Sequence, residues 1–229
     1  MPQHSFLTLL QFADGLFPAG AYAHSFGLEW YVQQGIIRDA RGVQEFLESY
    51  LESSAGPQDA AAMVQCIDLA HADHVGPVLE LDQTLEAMKP AAELRQASRQ
   101  LGRQSLRVAA SLTEDAYLIE LFRRVDSGET PGHYAMVFGT IGGRLGWPRE
   151  EAACAFLYSA AAAVVGSGLR LIPLGQLEGQ RVLWSLAPLI SRLGEQAAAI
   201  PPGDMWSFTP GLEVASALHA SSPARLFRS

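Results

Sequence analysis

The sequence predicts an all-α fold: a single helical-bundle-like domain of about ten helices with a less regular C-terminal tail. Three observations lead there. Apolar residues recur at three- and four-residue intervals, and strict alternation is scarce. Gly-Pro pairs and glycine-rich turns cut the chain into helix-sized pieces. Hydrophobic residues make up 48% of the chain against 17% charged, enough to fill a substantial core. No linker-like tract and no 20- to 50-residue repeat interrupts the 229 residues, so one domain over 1–229 is expected, with 201–229 as its tail.

Residues 6–12 form a short apolar helix that Asp14-Gly15 and Phe17-Pro18-Ala19-Gly20 end. A second helix is expected over 22–34, stopped by Gly35. Asp39 can cap a third, whose Val43, Phe46, Leu47, Tyr50 and Leu51 share one face. Gly56-Pro57 should break it, with Pro57 opening the next helix to about 72. Gly76-Pro77 and Lys89-Pro90 punctuate the next stretch, and 91–111 reads as a helix with one wet side. Thr113-Glu114-Asp115 marks a helix start, acidic groups suiting the positive dipole end. After the turn-rich 126–132, helices are expected over 133–144, 148–165 and 172–199, the last kinked at Pro188. Beyond Pro201-Pro202-Gly203 the pattern weakens. The uncharged run 152–169 approaches membrane-span length, but its alanines, serines and glycines predict a buried helix and no membrane span.

The net charge of −8, from 16 basic and 24 acidic residues, disfavours nonspecific nucleic-acid binding. The first residues lack the basic and apolar regions of a signal peptide. With Cys66 and Cys154 far apart and outside any C-x-x-C, two buried thiols in a cytoplasmic protein are expected. A Walker-type phosphate loop is impossible, because the only lysine, Lys89, precedes Pro90. Neither G-x-S-x-G nor H-E-x-x-H occurs. His71 and His74 could place two imidazoles on one helix face near a divalent metal, the basis of an alternative reading as a metal-binding helical enzyme. Two ligands do not close such a site, and a helix-end role is the plainer reading. His24 with Asp14 and Glu29 imitates an acid/base set, but lacks a nucleophile.

Four stretches and the C-terminus carry a resemblance. They are Leu9-Leu10-Gln11-Phe12-Ala13-Asp14 through Phe17-Pro18-Ala19-Gly20-Ala21-Tyr22-Ala23-His24-Ser25-Phe26-Gly27-Leu28-Glu29; Arg99-Gln100-Leu101-Gly102-Arg103; Gly132-His133-Tyr134-Ala135 with Val137-Phe138-Gly139; and Arg170-Leu171-Ile172-Pro173-Leu174-Gly175-Gln176 with Gly179-Gln180. The chain closes on Arg225-Leu226-Phe227-Arg228-Ser229. In order and spacing they resemble the urease accessory protein F (UreF) family over essentially the full length.

The resemblance implies an all-helical protein without catalytic site or cofactor. It would be a homodimer that binds UreD (UreH), recruits the GTPase UreG, and meets apo-urease for nickel insertion as a maturation chaperone. It places Glu29, Arg170 and the tail residues Arg225, Leu226, Phe227 and Arg228 at partner interfaces, Glu29 and Arg170 toward the GTPase. Surface ion pairs are the plain alternative for these two. His219 joins His71 and His74 as a candidate for contacting nickel, and the tail from about 210 resembles a segment that orders on UreD. Two departures stand out. His219-Ala220-Ser221-Ser222-Pro223-Ala224 replaces the H-E-T-Q-Y-S of many relatives, and Phe17-Pro18-Ala19-Gly20-Ala21 replaces L-P-x-G-G. A helical binding module unrelated to urease is the remaining alternative.

Overall fold

The computed structural model describes residues 3–219, 222 and 225–228, and every regular element among them is helical. Helix α1 (Gln3–Ala13) gives way to a turn in which Asp14 accepts from the N–H groups of Phe17 (3.0 Å, at its carbonyl) and Leu16 (2.9 Å, at its side chain). The helix expected over 22–34 is cut to α2 (Leu28–Gln33). A 3-10 turn at Ala21–Ala23 precedes it, and the chain then passes through left-handed backbone at Phe26 (φ +53°) and Gly27 (φ +86°). A right-handed helix cannot include such residues. Gly27 is also a contact point: a Cβ there would lie 2.5 Å from Leu212 Cδ1.

Asp39 caps α3 (Ala40–Tyr50) as expected, its carboxylate accepting from Gly42 N–H at 2.9 Å. The break expected at Gly56-Pro57 does not occur. The chain passes into a π-helical stretch, Leu51–Ala60, and on into α4 (Ala61–His71). The wider π turn tolerates a proline that has no N–H to give. Two carbonyls of this stretch also accept from the tail: Phe208 N–H donates to Ser53 O at 2.8 Å and Trp206 N–H to Pro57 O at 3.4 Å.

Helix α5 (Val75–Met88) fills a stretch whose sequence offers only punctuation, with Gly76-Pro77 inside its first turn, whereas α6 (Ala92–Thr113), α7 (Ala116–Asp126) and α8 (Tyr134–Leu145) lie close to the sequence expectation. Asp115 caps α7 through Leu118 N–H at 3.0 Å. Helix α9 (Arg149–Leu171) runs longer than expected and α10 (Gln176–Ala199) starts later. Pro173 explains both, since it drives Ile172 to extended backbone (φ −130°, ψ 162°). Helix α10 continues across Pro188. The tail is more regular than expected. It contains α11 (Pro210–His219), in which Leu212, Ala215, Ser216 and His219 form one buried i, i+3, i+4, i+7 face.

Helix α8 is the hub of the core. Its glycines let α4 approach to backbone contact: a Cβ at Gly139 would lie 2.1 Å from Met63 O, and one at Gly143 2.4 Å from Ile67 O. An aromatic group of Phe12, Phe17, Tyr134, Phe138, Trp147 and Phe156 packs beside it, and Trp147 Nε1–H donates to Thr8 Oγ1 at 3.0 Å. Helix α9 is long and apolar enough to cross a bilayer, with mean hydropathy 1.7, but half of that apolar window is buried inside the protein. It packs against α10, α4 and α1 as a core helix.

Two glycine substitutions separate packing from propensity. Gly139→Ala should destabilise by at least about 1–3 kcal/mol through overpacking against α4. Gly166→Ala, where a Cβ meets nothing within 4 Å, should stabilise by about 0.5–1 kcal/mol. Urea denaturation of both variants checks the contrast.

Candidate functional site

The buried carboxylate of Glu29, in the first turn of α2 and 3% exposed, gathers the tail around itself. Leu226 N–H donates to Oε1 at 2.7 Å and Phe227 N–H to Oε2 at 3.0 Å. Gln33 Nε2 adds a donor at 3.2 Å, and His219 Nε2 lies 3.0 Å from Oε2. Burial alone would raise this carboxyl, but the hydrogen bonds from Leu226, His219 and Phe227 outweigh it and hold it below the ordinary carboxylate value. The opposite ring nitrogen of His219 lies 2.9 Å from Glu93 Oε2, and Arg225 binds the other Glu93 oxygen at 2.6 Å.

Arg170, in the last turn of α9, holds the neighbouring segment. Its Nη2 donates to Tyr22 O at 2.8 Å and its Nε to Gly166 O at 3.2 Å. The guanidinium carbon sits 3.7 Å from the Tyr22 ring centroid and 4.2 Å from that of Phe227. Stacking on two rings suits a delocalised, weakly hydrated cation. Phe227 is buried, Arg228 N–H donates to Ala23 O at 2.9 Å, and Ser167 Oγ lies 3.0 Å from His24 O. Burial, and to a lesser degree the Arg228 charge, lowers His24 and favours its neutral form.

The structure therefore brings together Glu29, Arg170, His219, Arg225, Leu226, Phe227 and Arg228. Ser229, at the end of the motif, lies outside the described residues, as do Ala220, Ser221, Pro223 and Ala224 in the replaced stretch before it. Glu29 is buried in this conformation, so the plain alternative of a surface ion pair does not describe it. His71 and His74 stand elsewhere and correct another. Helix α4 ends at His71, Asp73 turns with φ +58°, and His74 precedes α5, so the two imidazoles share no helix face. Among the described residues no group of three or more His, Cys, Asp or Glu could hold a metal ion. Asp14, spent on its own turn, and Glu29, spent on the tail, give the acid/base reading of His24 no support. Cys66 is buried and its thiol pushed up by burial, while Cys154 is only half-buried.

A second polar knot joins two of the sequence stretches. Asp82, fully buried in α5, accepts from Thr130 Oγ1 at 2.5 Å, Gly132 N–H at 2.7 Å and His133 N–H at 2.9 Å. His133 bridges Ser98 (3.1 Å) and Glu86 (3.0 Å), and Glu86 also binds Arg95 and Arg99. Gly102 lies against this loop, where a Cβ would come within 2.0 Å of Gly132 O. The sequence pattern does not single out Glu93, Asp82 or Glu86. The only local signal for Glu93 is its place in the first turn of α6, since its partners lie more than a hundred residues away.

Comparison with known proteins identifies the family. A family model described as UreF matches residues 37–187. The chain belongs to the UreF family. It is 30% identical over 223 residues to the urease accessory protein UreF of Bacillus sp. (strain TB-90), covering 97% of this chain and 98% of that protein. It is 32% identical over 229 residues to that of Nostoc sp. (strain PCC 7120 / SAG 25.82 / UTEX 2576), covering 100% and 98%. For that of Arthrobacter sp. (strain FB24) the identity is 29% over 226 residues, covering 97% and 96%. The UreF model match stops short of Glu29 and the tail, whereas these full-length relatives reach nearly the whole chain.

Two outcomes are expected. In Glu29→Ala the tail loses its acceptor, and trypsin should cut after Arg225 and Arg228 at least about tenfold faster while the body stays helical, since each hydrogen bond to a carboxylate contributes about 1.5–3 kcal/mol. Asp82→Ala should lower global stability by about 3 kcal/mol, read from the denaturant midpoint, because three buried donors lose their acceptor at once.

Proposed function

We propose that this UreF-family chain is a non-catalytic scaffold in urease maturation. It bridges UreD (UreH) and the GTPase UreG so that nickel, the cargo, enters apo-urease in a GTP-dependent step. It acts in the cytoplasm as a homodimer and holds no cofactor of its own. One observation carries the reading: three sequence stretches far apart in the chain, ending in Glu29, opening on Arg170 and closing on Arg225 to Arg228, build one composite surface. A surface assembled from the tail and two body elements is suited to being read by a protein, because its shape exists only when all three are in place.

The donor chemistry favours a scaffold over a metal-dependent enzyme. The carboxylates of Glu29 and Glu93 sit at opposite nitrogens of His219 and so do not converge on one point where a cation could be held. The reading of His71 and His74 as an enzyme's metal ligands gains no support from their placement. Nickel handling is therefore assigned to the assembly, with this chain supplying the contacts that hold it together.

Co-purification with UreD and UreG tests the assignment. The native chain should capture both. Arg170→Ala should reduce UreG capture by more than about tenfold, as expected for an anchor at an interface centre, while UreD binding persists. Normal UreG capture by both Arg170→Ala and Glu29→Ala would remove this surface from the function.

A further inference from the structure

We propose that the cavity beside the π-helical stretch is a binding site for a small neutral carbonyl compound, a short aliphatic amide fitting it best, with Gln58 as the hydrogen-bond donor. The site does not rest on the scaffold reading and needs no partner protein.

The cavity measures about 100 Å3 and is lined from Leu51–Ala60, the α5–α6 turn, α6, α8 and α9. An engineered apolar cavity of about 150 Å3 takes benzene, so this one suits a ligand of about five non-hydrogen atoms. Leu94, Leu101 and the stacked rings of Tyr134 and Phe156, with centroids 5.5 Å apart, give it apolar walls. Against these stand Ser54, Gln58 and Asp59, which the π-helical stretch sets along the cavity at spacings of four and five residues. Gln58 is 1% exposed, and its Nε2 has no hydrogen-bond partner among the described residues. A buried donor left this way costs stability, and an acceptor brought into the cavity recovers it.

Lys89 and Asp59 decide the ligand's charge. The ammonium lies 2.6 Å from Asp59 Oδ1, with the two side chains 12% and 13% exposed. As a pair they are neutral. A carboxylate in the cavity would add an uncompensated negative charge beside Asp59, and an ammonium a positive one beside Lys89, each poorly hydrated. A hydrocarbon would leave Gln58 unpaired. A neutral amide meets both demands: its carbonyl accepts from Gln58 Nε2, its N–H groups have the oxygens of Asp59 and Ser54 to donate to, and its alkyl end lies on the apolar walls. The tail adds Ser207, Thr209, Leu212 and Glu213 to the lining. Gln58, Asp59 and Lys89 all belong to the body, so a tail that lifts uncovers the site without removing its polar groups.

Lys89 is the chain's only lysine, so the full chain grown on carbon-13 lysine reports on this cavity through a single side chain. Propionamide should shift the Lys89 side-chain resonances saturably, with half the effect at roughly 10 mM or below, as expected for so small a ligand. Propionate has the same size and shape but carries a charge at neutral pH, and should bind at least about tenfold more weakly. Gln58→Leu removes the unpaired donor at nearly constant volume. It should fold at least as stably as the native chain and lose about tenfold or more in propionamide affinity. No saturable shift with propionamide overturns the proposal. So does a propionate response equal to that of propionamide, or an unchanged propionamide affinity in Gln58→Leu.

Discussion

Taking a carboxylate out of water is expensive unless each oxygen is met by donors, and Glu29 is met by the chain's own far end. That requirement organises the site. Two backbone N–H groups from the tail, a glutamine one helical turn on and an imidazole from α11 converge on one group. The tail in turn creates the place where Phe227 meets the Arg170 guanidinium. The Arg225–Glu93 pair and the Arg228 N–H to Ala23 O bond hold the last residues on either side of the Glu29 carboxylate.

Glu29 can do this only because the body holds its neighbours still. Helix α9 carries Arg170 and Ser167, and α6 carries Glu93, so the relative placement of these two helices sets the site's geometry. Glycine contacts between α8 and α4 allow backbone-to-backbone packing at the centre, with no side chain to yield. The Asp82 knot fixes the loop entering α8 against α5 and α6. The π-helical stretch has a similar role toward the tail, since its carbonyls accept from Trp206 and Phe208 just before α11. Strained or unusual backbone lies where the tail crosses the body: Phe26 and Gly27 turn beneath Leu212.

What the sequence disclosed divides along the range of the interactions. Helices with regular apolar spacing and side-chain caps, such as α3 with Asp39 and α7 with Asp115, were legible because their determinants are local. The composite site was legible only as strings resembling a family, which marked Glu29, Arg170 and the closing residues without saying that they touch. Gly56-Pro57 misled because a proline in a π turn reads the same as a proline after a break. Residues 22–27 misled because apolar spacing continues through two left-handed residues that only tertiary contact with α11 explains. Glu93 and Asp82 gave no useful signal. A carboxylate whose partners lie elsewhere in the chain is locally indistinguishable from one on a wet helix face.

The tail's energetics indicate why such an arrangement can be shifted. Ordering the four residues 225–228 costs about 4–8 kcal/mol at about 1–2 kcal/mol each. Against this stand two hydrogen bonds to a carboxylate at about 1.5–3 kcal/mol each. Burial of Phe227 adds about 2 kcal/mol, and its contact with Arg170 about 0.5–1 kcal/mol. With about 0.5–1.5 kcal/mol for the Arg228 N–H to Ala23 O bond and about 0–1 kcal/mol for the partly exposed Arg225–Glu93 pair, the gains total about 6–11.5 kcal/mol, so docking lies within a few kcal/mol of balance. A partner that binds one tail state better than the other by about that amount therefore controls its population. Regulation that acts on shape in this protein acts most readily at the tail, where a single partner contact is comparable with the whole margin.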